Sequence, residues 1–469
     1  MAKKPRFFKP TAARAKRPLP GKPLEADILN FSHDLRGVAR VEERPVFIDG
    51  ALPGERVRFS YSERRARFDE GRLLEVIEAA DTRCAPRCAH SDTCGGCALQ
   101  HLQPAAQIAE KAQMLLDQLS RIGAVAVPEV LPPLVGEEFG YRRKARIGIR
   151  LQGPKRGATR GAKPGANTGS ASTPVIGFRA KASNELVDIR ECPVLPPAVA
   201  DQIPALRALV AESEGRAHFT HLEVAVGEDA AALVLRHTQP LDAADRQRWL
   251  SFAADTGLHL YLQPGEAASA QRVWPASGVE RLEYRLPQFD LTLRFHPLDF
   301  VQVNFAVNRQ MVARAVALLD PQPQERVLDL FCGLGNFTLP LARRAAQVVG
   351  VEGEGALTAR AEENAAANGI DNVRFVTADL SVDMRRHRWA EGGFHKVLLD
   401  PPRAGAIEVL PQLARLRPQR IVYISCNPST LARDAGELAQ LGYRLRSAGV
   451  MDMFPHTAHV ESIAVFEPA

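Results

Sequence analysis

Short apolar runs alternate with longer segments of mixed polarity along the C-terminal part of the chain, from residue 302 onward. The apolar runs have the length of buried strands, and the segments between them have helical spacing. This alternation predicts an α/β fold with a mostly parallel, doubly wound sheet across residues 300–469. The predicted strands are residues 326–330, 347–352, 373–378, 396–400 and 420–425, and the predicted helices are residues 338–344, 356–368 and 429–440.

Residues 24–80 have a different pattern, in which apolar and polar residues alternate over strand-sized pieces. Gly, Pro and Asp residues separate these pieces, which predicts a small OB-like β-barrel over residues 23–81. Basic and aromatic side chains exposed at its turns can hold a nucleic-acid backbone and stack bases, although the aromatic residues can equally be core residues. The arginines are Arg40, Arg44, Arg64, Arg65 and Arg67, and the aromatic residues are Phe59, Tyr61 and Phe68.

Two further segments lack apolar periodicity. Every ionisable side chain in residues 1–22 is Lys or Arg and prolines recur, which predicts a disordered basic arm that binds a polyanion or only keeps the chain in solution. Residues 152–174 are rich in small and polar residues and predict a flexible surface loop. The rest of residues 82–299 is expected to form an α+β central domain, with residues 100–132 packed on the C-terminal domain.

Composition narrows the class of protein. A chain of 469 residues is expected to form two or three domains. An apolar fraction of 45% without a run of about eighteen apolar residues predicts no membrane span. The basic N-terminus is followed by no apolar segment, so we expect a cytoplasmic protein, and we expect it to be a monomer.

A glycine turn follows the first strand of the predicted sheet. Gly333 and Gly335 lack the third glycine of a dinucleotide fingerprint, and no Lys-Ser/Thr pair follows, which argues against NAD and against a P-loop. Glu352 ends the next strand, where a carboxylate can accept hydrogen bonds from ribose hydroxyls, and Asp379 ends the third, where it can meet an adenine edge. A cofactor with ribose and adenine but no phosphate fits, and S-adenosylmethionine is such a cofactor.

Cysteines occur in two settings. Cys84, Cys88, Cys94 and Cys97 are closely spaced and Cys192 is a fifth candidate, which favours a metal site over disulfides in a cytosolic chain. Four thiolates suit an iron-sulfur cluster or zinc, spacing alone does not decide between them, and reduced core cysteines are the alternative. Cys426 comes at the end of the predicted strand of residues 420–425. At this position a thiol faces the ligand crevice of an open α/β sheet and can act as a nucleophile. The alternative is a buried strand cysteine.

Taken together, the motifs resemble those of the RNA uracil-5-methyltransferases. They are residues 299–304 (DFVQVN), 330–337 (LFCGLGNF), 400–405 (DPPRAG), 425–428 (SCNP) and 452–461 (DMFPHTAHVE). The resemblance covers nearly the whole chain and implies a Rossmann-like methyltransferase domain. It is to the branch that modifies 23S ribosomal RNA and carries an N-terminal RNA-binding TRAM barrel and an iron-sulfur module, both of which the tRNA branch lacks.

The resemblance also implies roles for particular residues. Cys426 would add to carbon 6 of uracil, and Glu461 would later remove the proton from carbon 5. Such a nucleophile calls for a polar or electropositive surrounding. His456 and His459 would contact the substrate or hold their loop. The implied ligands of a 4Fe-4S cluster are Cys88, Cys94, Cys97 and Cys192, and the implied contacts of S-adenosylmethionine are Gln302, Phe331, Asn336, Glu352, Asp379 and Asp400.

Three other interpretations stay open. The Asp400-Pro401-Pro402 turn is similar to that of amino-group methylases, but Arg403 stands where those enzymes usually have an aromatic residue. A tRNA uracil-5-methyltransferase would share the chemistry and differ in substrate. A non-catalytic RNA-binding or assembly factor would keep the barrel and the cysteines, but the presence of both Cys426 and Glu461 argues against it.

Overall fold

The computed structural model describes residue 19 and residues 21–152, 173–382, 384 and 388–469. The basic arm predicted for residues 1–22 and the loop predicted for residues 152–174 therefore lie almost entirely outside the described residues. The chain divides into two compact units, Met1–Ala85 with His101–Gln103 and Pro86–Gln100 with Pro104–Ala469. The boundary predicted between residues 299 and 300 lies within the second unit.

The first unit is a six-stranded sheet. Its strands follow the order β1-β5-β6-β4-β3-β2, and only the β4–β6 pair is parallel. Alternate residues on one face, including Val46, Ile48, Val57 and Phe59, form its core. The strands are β1 (Leu24–Asp27), β2 (Asn30–Phe31), β3 (Gly37–Val41), β4 (Arg44–Asp49), β5 (Arg56–Arg64) and β6 (Asp69–Glu78).

The structure corrects part of the predicted basic and aromatic surface of this unit. Phe59 is a core residue, so it cannot stack on a base. The prediction that Arg44 and Arg64 are exposed is wrong: their side chains are only 23% and 18% exposed, because each lies 3.3 Å from the carboxylate of buried Asp69. A buried carboxylate needs such partners. The exposed arginines are Arg40, Arg65 and Arg67.

The second unit begins with α1 (Pro104–Arg121) and β7 (Glu129–Val130) and continues into a seven-stranded sheet. Its order is β10-β9-β8-β11-β12-β13-β14, and α3 and α4 help to cover a core around Leu222, Leu235 and Trp249. The strands are β8 (Lys144–Gln152), β9 (Thr173–Arg179), β10 (Leu186–Asp188), β11 (Phe219–Val226), β12 (Ala231–His237), β13 (His259–Gln263) and β14 (Gln271–Trp274), and the helices are α2 (Pro197–Ala200), α3 (Ile203–Glu212) and α4 (Ala243–Thr256).

An eight-stranded sheet follows, after a hairpin of β15 (Leu282–Leu286) and β16 (Leu291–Phe295). Its order is β19-β18-β17-β20-β21-β23-β22-β7, with the first five strands parallel and β23 antiparallel to both neighbours. The strands are β17 (Arg326–Leu330), β18 (Gln347–Glu352), β19 (Val373–Thr377), β20 (Lys396–Leu399), β21 (Arg420–Ser425), β22 (Tyr443–Met451) and β23 (Glu461–Pro468), and the helices are α5 (Phe305–Leu319), α6 (Thr338–Ala342), α7 (Gly355–Ala367), α8 (Leu410–Leu416) and α9 (Pro428–Gln440). The α/β sheet expected from the sequence is confirmed.

Helices cover this sheet on both faces because successive strand residues point to opposite sides. Val348 belongs to the apolar core that includes residues of α5, α6 and α7, and the next residue, Val349, belongs to the core on the other face, which includes residues of α1, α8 and α9. Helix α1 thus packs on a sheet whose parallel strands β17 to β21 come about two hundred residues further along the chain. Strand β7 pairs in parallel with β22 at the sheet edge. Among the helices that the structure describes, none has the length and apolar character needed to cross a membrane.

Buried Asp434 of α9 connects this helix to the turn after β20. Its carboxylate accepts hydrogen bonds from the Tyr423 hydroxyl and the Ala406 N–H, both at 2.7 Å. We predict that Asp434→Ala lowers the free energy of unfolding by about 3 kcal/mol, because these buried donors lose their acceptor. Chemical denaturation measures this, with exposed Gln440→Ala on the same helix as a control that changes it by less than about 0.5 kcal/mol. Equal stability of the two variants would contradict the prediction.

Candidate active site

The carboxyl ends of four parallel strands, β17, β18, β20 and β21, open onto one cavity of about 510 Å³. This is the edge at which open α/β sheets bind ligands. The cavity brings together most of the side chains that the sequence singled out. The predicted site residues that line it are Gln302, Phe331, Asn336, Glu352, Asp400, Cys426 and Glu461.

The turn after β17 forms one wall of the cavity. Phe331, Gly333 and Gly335 all have positive φ angles, of 64°, 55° and 97°. Only Gly takes up such angles without strain, and at Gly335 an added Cβ would also lie 3.2 Å from Leu339. The strained angle at Phe331 is of the kind that clusters at ligand sites. The turn leaves room for a ligand to approach the backbone closely.

Glu352 is held in place by the same turn. Its carboxylate accepts hydrogen bonds from the Gly333 N–H at 3.1 Å and the Gly353 N–H at 2.8 Å. A carboxylate fixed in this way at the end of the second strand can accept hydrogen bonds from ribose hydroxyls.

Asn336 forms part of a buried polar network beside the cavity. Its side chain exchanges two 3.0 Å hydrogen bonds with the Asn308 amide and accepts a third from the Tyr284 hydroxyl at 2.8 Å. Tyr284 also lines the cavity, although no sequence motif pointed to it. The network fixes the orientation of Asn336 before any ligand binds.

Asp379 comes one residue after Ala378, whose N–H donates to the Glu352 carbonyl at 2.9 Å, so its backbone lies near Glu352. It follows β19, is exposed, and does not line the cavity. Hydrogen bonds from the Ser381 side chain and backbone, at 2.7 and 2.9 Å, lower the pKa of its carboxyl group. Its contact with the adenine edge stays a prediction.

Cys426 occupies the junction between β21 and α9. Asn427 caps the helix by accepting a hydrogen bond from the Ser429 N–H, and Pro428 is the first helical residue, a combination that favours an abrupt helix start. The Asn427 side chain also donates to the Arg403 carbonyl at 3.2 Å, which joins this turn to the one after β20. The half-buried thiol consequently faces the cavity.

Glu461 reaches the same place from the opposite direction. Strand β23 runs antiparallel to β21 with Ser462 opposite Ser425, so the first residue of β23 lies at the edge where β21 ends. Glu461 is buried there, close to Asp400 and Cys426. An antiparallel strand thus delivers its N-terminal residue to the carboxyl edge of the parallel strands.

Burial, together with the charges of neighbouring acids, governs the charge of the groups around Cys426. Burial raises the pKa of Asp400 to about 7, and burial together with Asp400 raises the pKa of Glu461 to about 8. Burial, with Glu461 and Asp400, raises the pKa of Cys426 to about 11, although Arg403 acts in the opposite direction. Near neutral pH Cys426 is therefore a thiol. The chemistry expected from the sequence calls for an electropositive surrounding of this residue, and the surrounding in the structure is less electropositive than that.

Several lining residues lie near the opening of the cavity. Arg403 Nη2 is 3.0 Å from His459 Nδ1, and partial burial followed by the Arg403 charge lowers the pKa of His459. The Phe454 and His459 rings are 5.2 Å apart, and the Phe300 side chain is 71% exposed. Planar rings and hydrogen-bonding groups of this kind can hold a flat heterocycle. The motifs of residues 299–304 and 452–461 include all three residues, but the sequence indicated a role only for His459 and none for Phe300 or Phe454.

Cys88, Cys94, Cys97 and Cys192 line a second cavity of about 60 Å³ in the same unit. Cys84 belongs to the other unit. Backbone N–H groups of His90 and Gly96 donate to the Cys88 and Cys94 sulfur atoms, both at 3.4 Å.

Burial raises the pKa of all four thiols, that of Cys192 to about 12, so each stays protonated unless a metal displaces its proton. Within the described residues, no group of three or more His, Cys, Asp or Glu side chains is arranged to hold a single metal ion.

Comparison with known proteins gives a consistent result. A family model described as tRNA (Uracil-5-)-methyltransferase matches residues 279–467. A relative from Alcanivorax borkumensis named 23S rRNA (uracil(1939)-C(5))-methyltransferase RlmD is 47% identical over 97% of this chain and 99% of its own. A relative of the same name from Alkalilimnicola ehrlichii is 50% identical over 97% and 98%.

One solved structure has the same fold over nearly its whole length. It is the Pyrococcus abyssi tRNA (uracil-54, C5)-methyltransferase in complex with S-adenosyl-L-homocysteine, with a TM-score of 0.70 over 94% of this chain and 99% of that one. At 24% sequence identity, this likeness supports the fold alone.

The repulsion between Cys426 and its neighbours can be measured by alkylation. At about pH 9, above the pKa of Glu461, Glu461→Gln removes a negative charge beside the thiol and lowers the pKa of Cys426. We therefore predict faster modification of Cys426 by iodoacetamide, followed by peptide mass spectrometry, because the thiolate is the reactive form. The control is Glu362→Gln at an exposed position of α7, which should leave the rate unchanged. Equal rates in both variants would rule out this coupling.

Proposed function

This chain belongs to the RNA uracil-5-methyltransferase family, and on that basis we propose that it transfers a methyl group from S-adenosylmethionine to carbon 5 of a uridine in 23S ribosomal RNA. The relatives that match nearly its whole length are named for uracil 1939, so we propose the equivalent uridine as the target. The observation that carries the proposal is the cavity that joins Cys426 and Glu461 to the glycine turn of β17. We expect the protein to act in the cytoplasm as a monomer.

We assign the binding of S-adenosylmethionine to Gln302, Phe331, Asn336, Glu352, Asp379 and Asp400. The cavity suits a ligand of this size, since small-molecule sites usually measure about 300–1,000 Å³. Glu352 is the best-supported contact, because its carboxylate is already oriented by two backbone N–H groups. When bound, S-adenosylmethionine supplies an electrophilic methyl group.

Cys426 is the proposed nucleophile. Its sulfur forms a bond to carbon 6 of the uracil ring and its proton leaves, which turns the ring into an enolate that is nucleophilic at carbon 5. Because the pKa of Cys426 is raised to about 11, its deprotonation has to accompany attack or follow a change of charge in the cavity. Arg403 is the neighbouring positive charge that opposes this rise.

Glu461 is the proposed base for the second half of the reaction. After methylation its carboxylate removes the proton from carbon 5, the bond between sulfur and carbon 6 breaks, and Cys426 is restored. A pKa of about 8 suits this role, because a base is most effective when its pKa lies near the working pH.

We also propose that the six-stranded N-terminal sheet is a TRAM-type barrel that binds RNA. The Leu29 N–H donates to the Val38 carbonyl at 2.9 Å, which brings the chain after β1 against β3. Arg65 lies 5.4 Å from the centre of the Phe68 ring and is exposed, as are Arg40 and Arg67. Such groups neutralise phosphates, so affinity for RNA should fall with salt.

The four cysteines of the second cavity are the proposed ligands of a 4Fe-4S cluster. They line one cavity, and two of the sulfur atoms accept backbone N–H bonds of the kind that tune iron-sulfur clusters. These residues fit such a group, and the cluster would supply the charge that keeps four buried cysteines as thiolates.

The first test is mass spectrometry of 23S ribosomal RNA after incubation with the protein and S-adenosylmethionine. We predict one methyl group on carbon 5 of uridine, and Cys426→Ala should lower the rate by about 10⁴-fold or more, because the nucleophile is lost. RNA containing 5-fluorouracil should trap the wild type covalently. Methylation of tRNA instead would keep the chemistry and change the substrate, and no methylation or trapping would favour a non-catalytic RNA-binding factor.

The second test measures bound iron and sulfide in anaerobically purified protein. We predict that Cys192→Ala abolishes iron binding, because the variant lacks one ligand, and that Cys84→Ala retains it. Each variant removes one thiol, so the pair is matched. Zinc in place of iron, or equal loss of iron in both variants, would contradict the assignment.

A further inference from the structure

The loop of residues 452–460 between β22 and β23 carries two lining residues of the active-site cavity, Phe454 and His459, and leads directly into Glu461. It has no regular secondary structure except turns, and His456 within it has a φ angle of 64°. Glu461 pairs with Met451 of β22, so the loop joins two paired strand residues, and what holds the loop bears on the position of Glu461 together with this pairing.

Two buried polar side chains of α1 hold it. Lys111 is 0% exposed, and its Nζ lies 2.7 Å from Asp452 Oδ1 and 3.1 Å from the Phe454 carbonyl. Gln107, one helical turn earlier, accepts a hydrogen bond from the His456 N–H at 2.9 Å and donates to the Leu99 carbonyl at 3.0 Å. Residues four apart lie on the same face of a helix, so the two side chains act on the loop together.

Packing of the helix does not require these polar groups. Ile108, Leu115 and Leu119 already join α1 to the apolar core of the large sheet. A charge buried among such residues is costly unless it is paired, and the partners of Lys111 are both in the loop. Helix α1 also lies outside the segment of residues 279–467 that the family model matches, so the family match assigns it no role.

We propose that Lys111, assisted by Gln107, is a positioning residue for proton removal, which holds the loop of residues 452–460 so that Glu461 can reach carbon 5 of the uracil. The inference rests on the proposed function, because it presumes that Glu461 is the base. Neither side chain lines the cavity, so both act through the loop.

Charge adds a second consequence. The ionisable groups that act on Glu461 are Asp400 after β20, which raises its pKa, and Arg403 and Lys111, which lower it; Cys426 after β21 faces it as well. Removing the Lys111 charge therefore raises the pKa of Glu461. Proton removal needs the carboxylate form of Glu461. If this step limits the reaction, the rate should therefore begin to fall at a higher pH as the pH is lowered.

The test is Lys111→Met in the full-length protein, assayed with ribosomal RNA. We expect kcat to fall by about 10²-fold, because a small displacement of a catalytic group has an effect of this size, while KM for RNA changes by less than about threefold. The acidic limb of the pH profile should move to higher pH. The covalent adduct with ordinary uridine RNA should accumulate, as it should in Glu461→Gln, because methylation precedes the blocked step.

The control is Gln113→Met, an exposed position on the same helix, which should behave as wild type. If Lys111→Met does not fold, the double variant Lys111→Met with Asp452→Asn is used, because it leaves no unpaired charge but still lacks the Lys111 contacts with the loop. This double variant should also accumulate adduct. A wild-type pH profile without adduct, or loss of RNA binding alone, would overturn the inference. Failure of the wild type to methylate uridine would instead overturn the proposed function.

Discussion

The direction of the strands in the large sheet is the constraint on which the active site depends. Parallel strands place their carboxyl ends at one edge, so the residues that follow β17, β18, β20 and β21 meet there. Strand β23 is antiparallel and contributes its first residue, Glu461, to the same edge. The proposed nucleophile and the proposed base, which are 35 positions apart in the chain (461 minus 426), thereby share one cavity with the glycine turn.

Burial at this edge of the sheet disfavours the charged forms of the acidic groups. Burial raises the pKa of Asp400, Glu461 and Cys426. Asp400 also raises that of Glu461, and both carboxyl groups raise that of Cys426, so near neutral pH much of their negative charge is suppressed by bound protons. The positive sulfonium of S-adenosylmethionine is complementary to such a set of acids. Arg403 and Lys111 are positively charged residues that lower the pKa of Glu461, and they come from segments of the chain that are far apart in sequence.

The support for the site extends beyond the methyltransferase sheet. The Ala98 and Leu99 N–H groups donate to the His456 carbonyl at 2.8 and 2.9 Å, directly after Cys97. The cysteine-bearing segment, α1 and the loop before Glu461 are therefore one hydrogen-bonded system. Residues before position 112 thus support the loop that precedes Glu461, the proposed base, although no periodicity in the sequence connects the two segments.

Much of the large sheet could be predicted from the sequence, because a buried parallel strand between amphipathic helices has a local signature: the predictions for β17, β18 and β21 match the observed bounds, and those for β19 and β20 differ by one residue. Cys426, Glu352 and Gly333 were found for the same reason, since each follows a recognisable strand. Tyr284, Phe454 and Lys111 could not be found in this way, because their roles depend on contacts between distant segments. The sequence by itself determined which strands form and which side chains end them. Only the tertiary structure decided which of these side chains meet, that Asp379 does not line the cavity, and how deeply each acid is buried, because burial and proximity arise only when distant segments pack together.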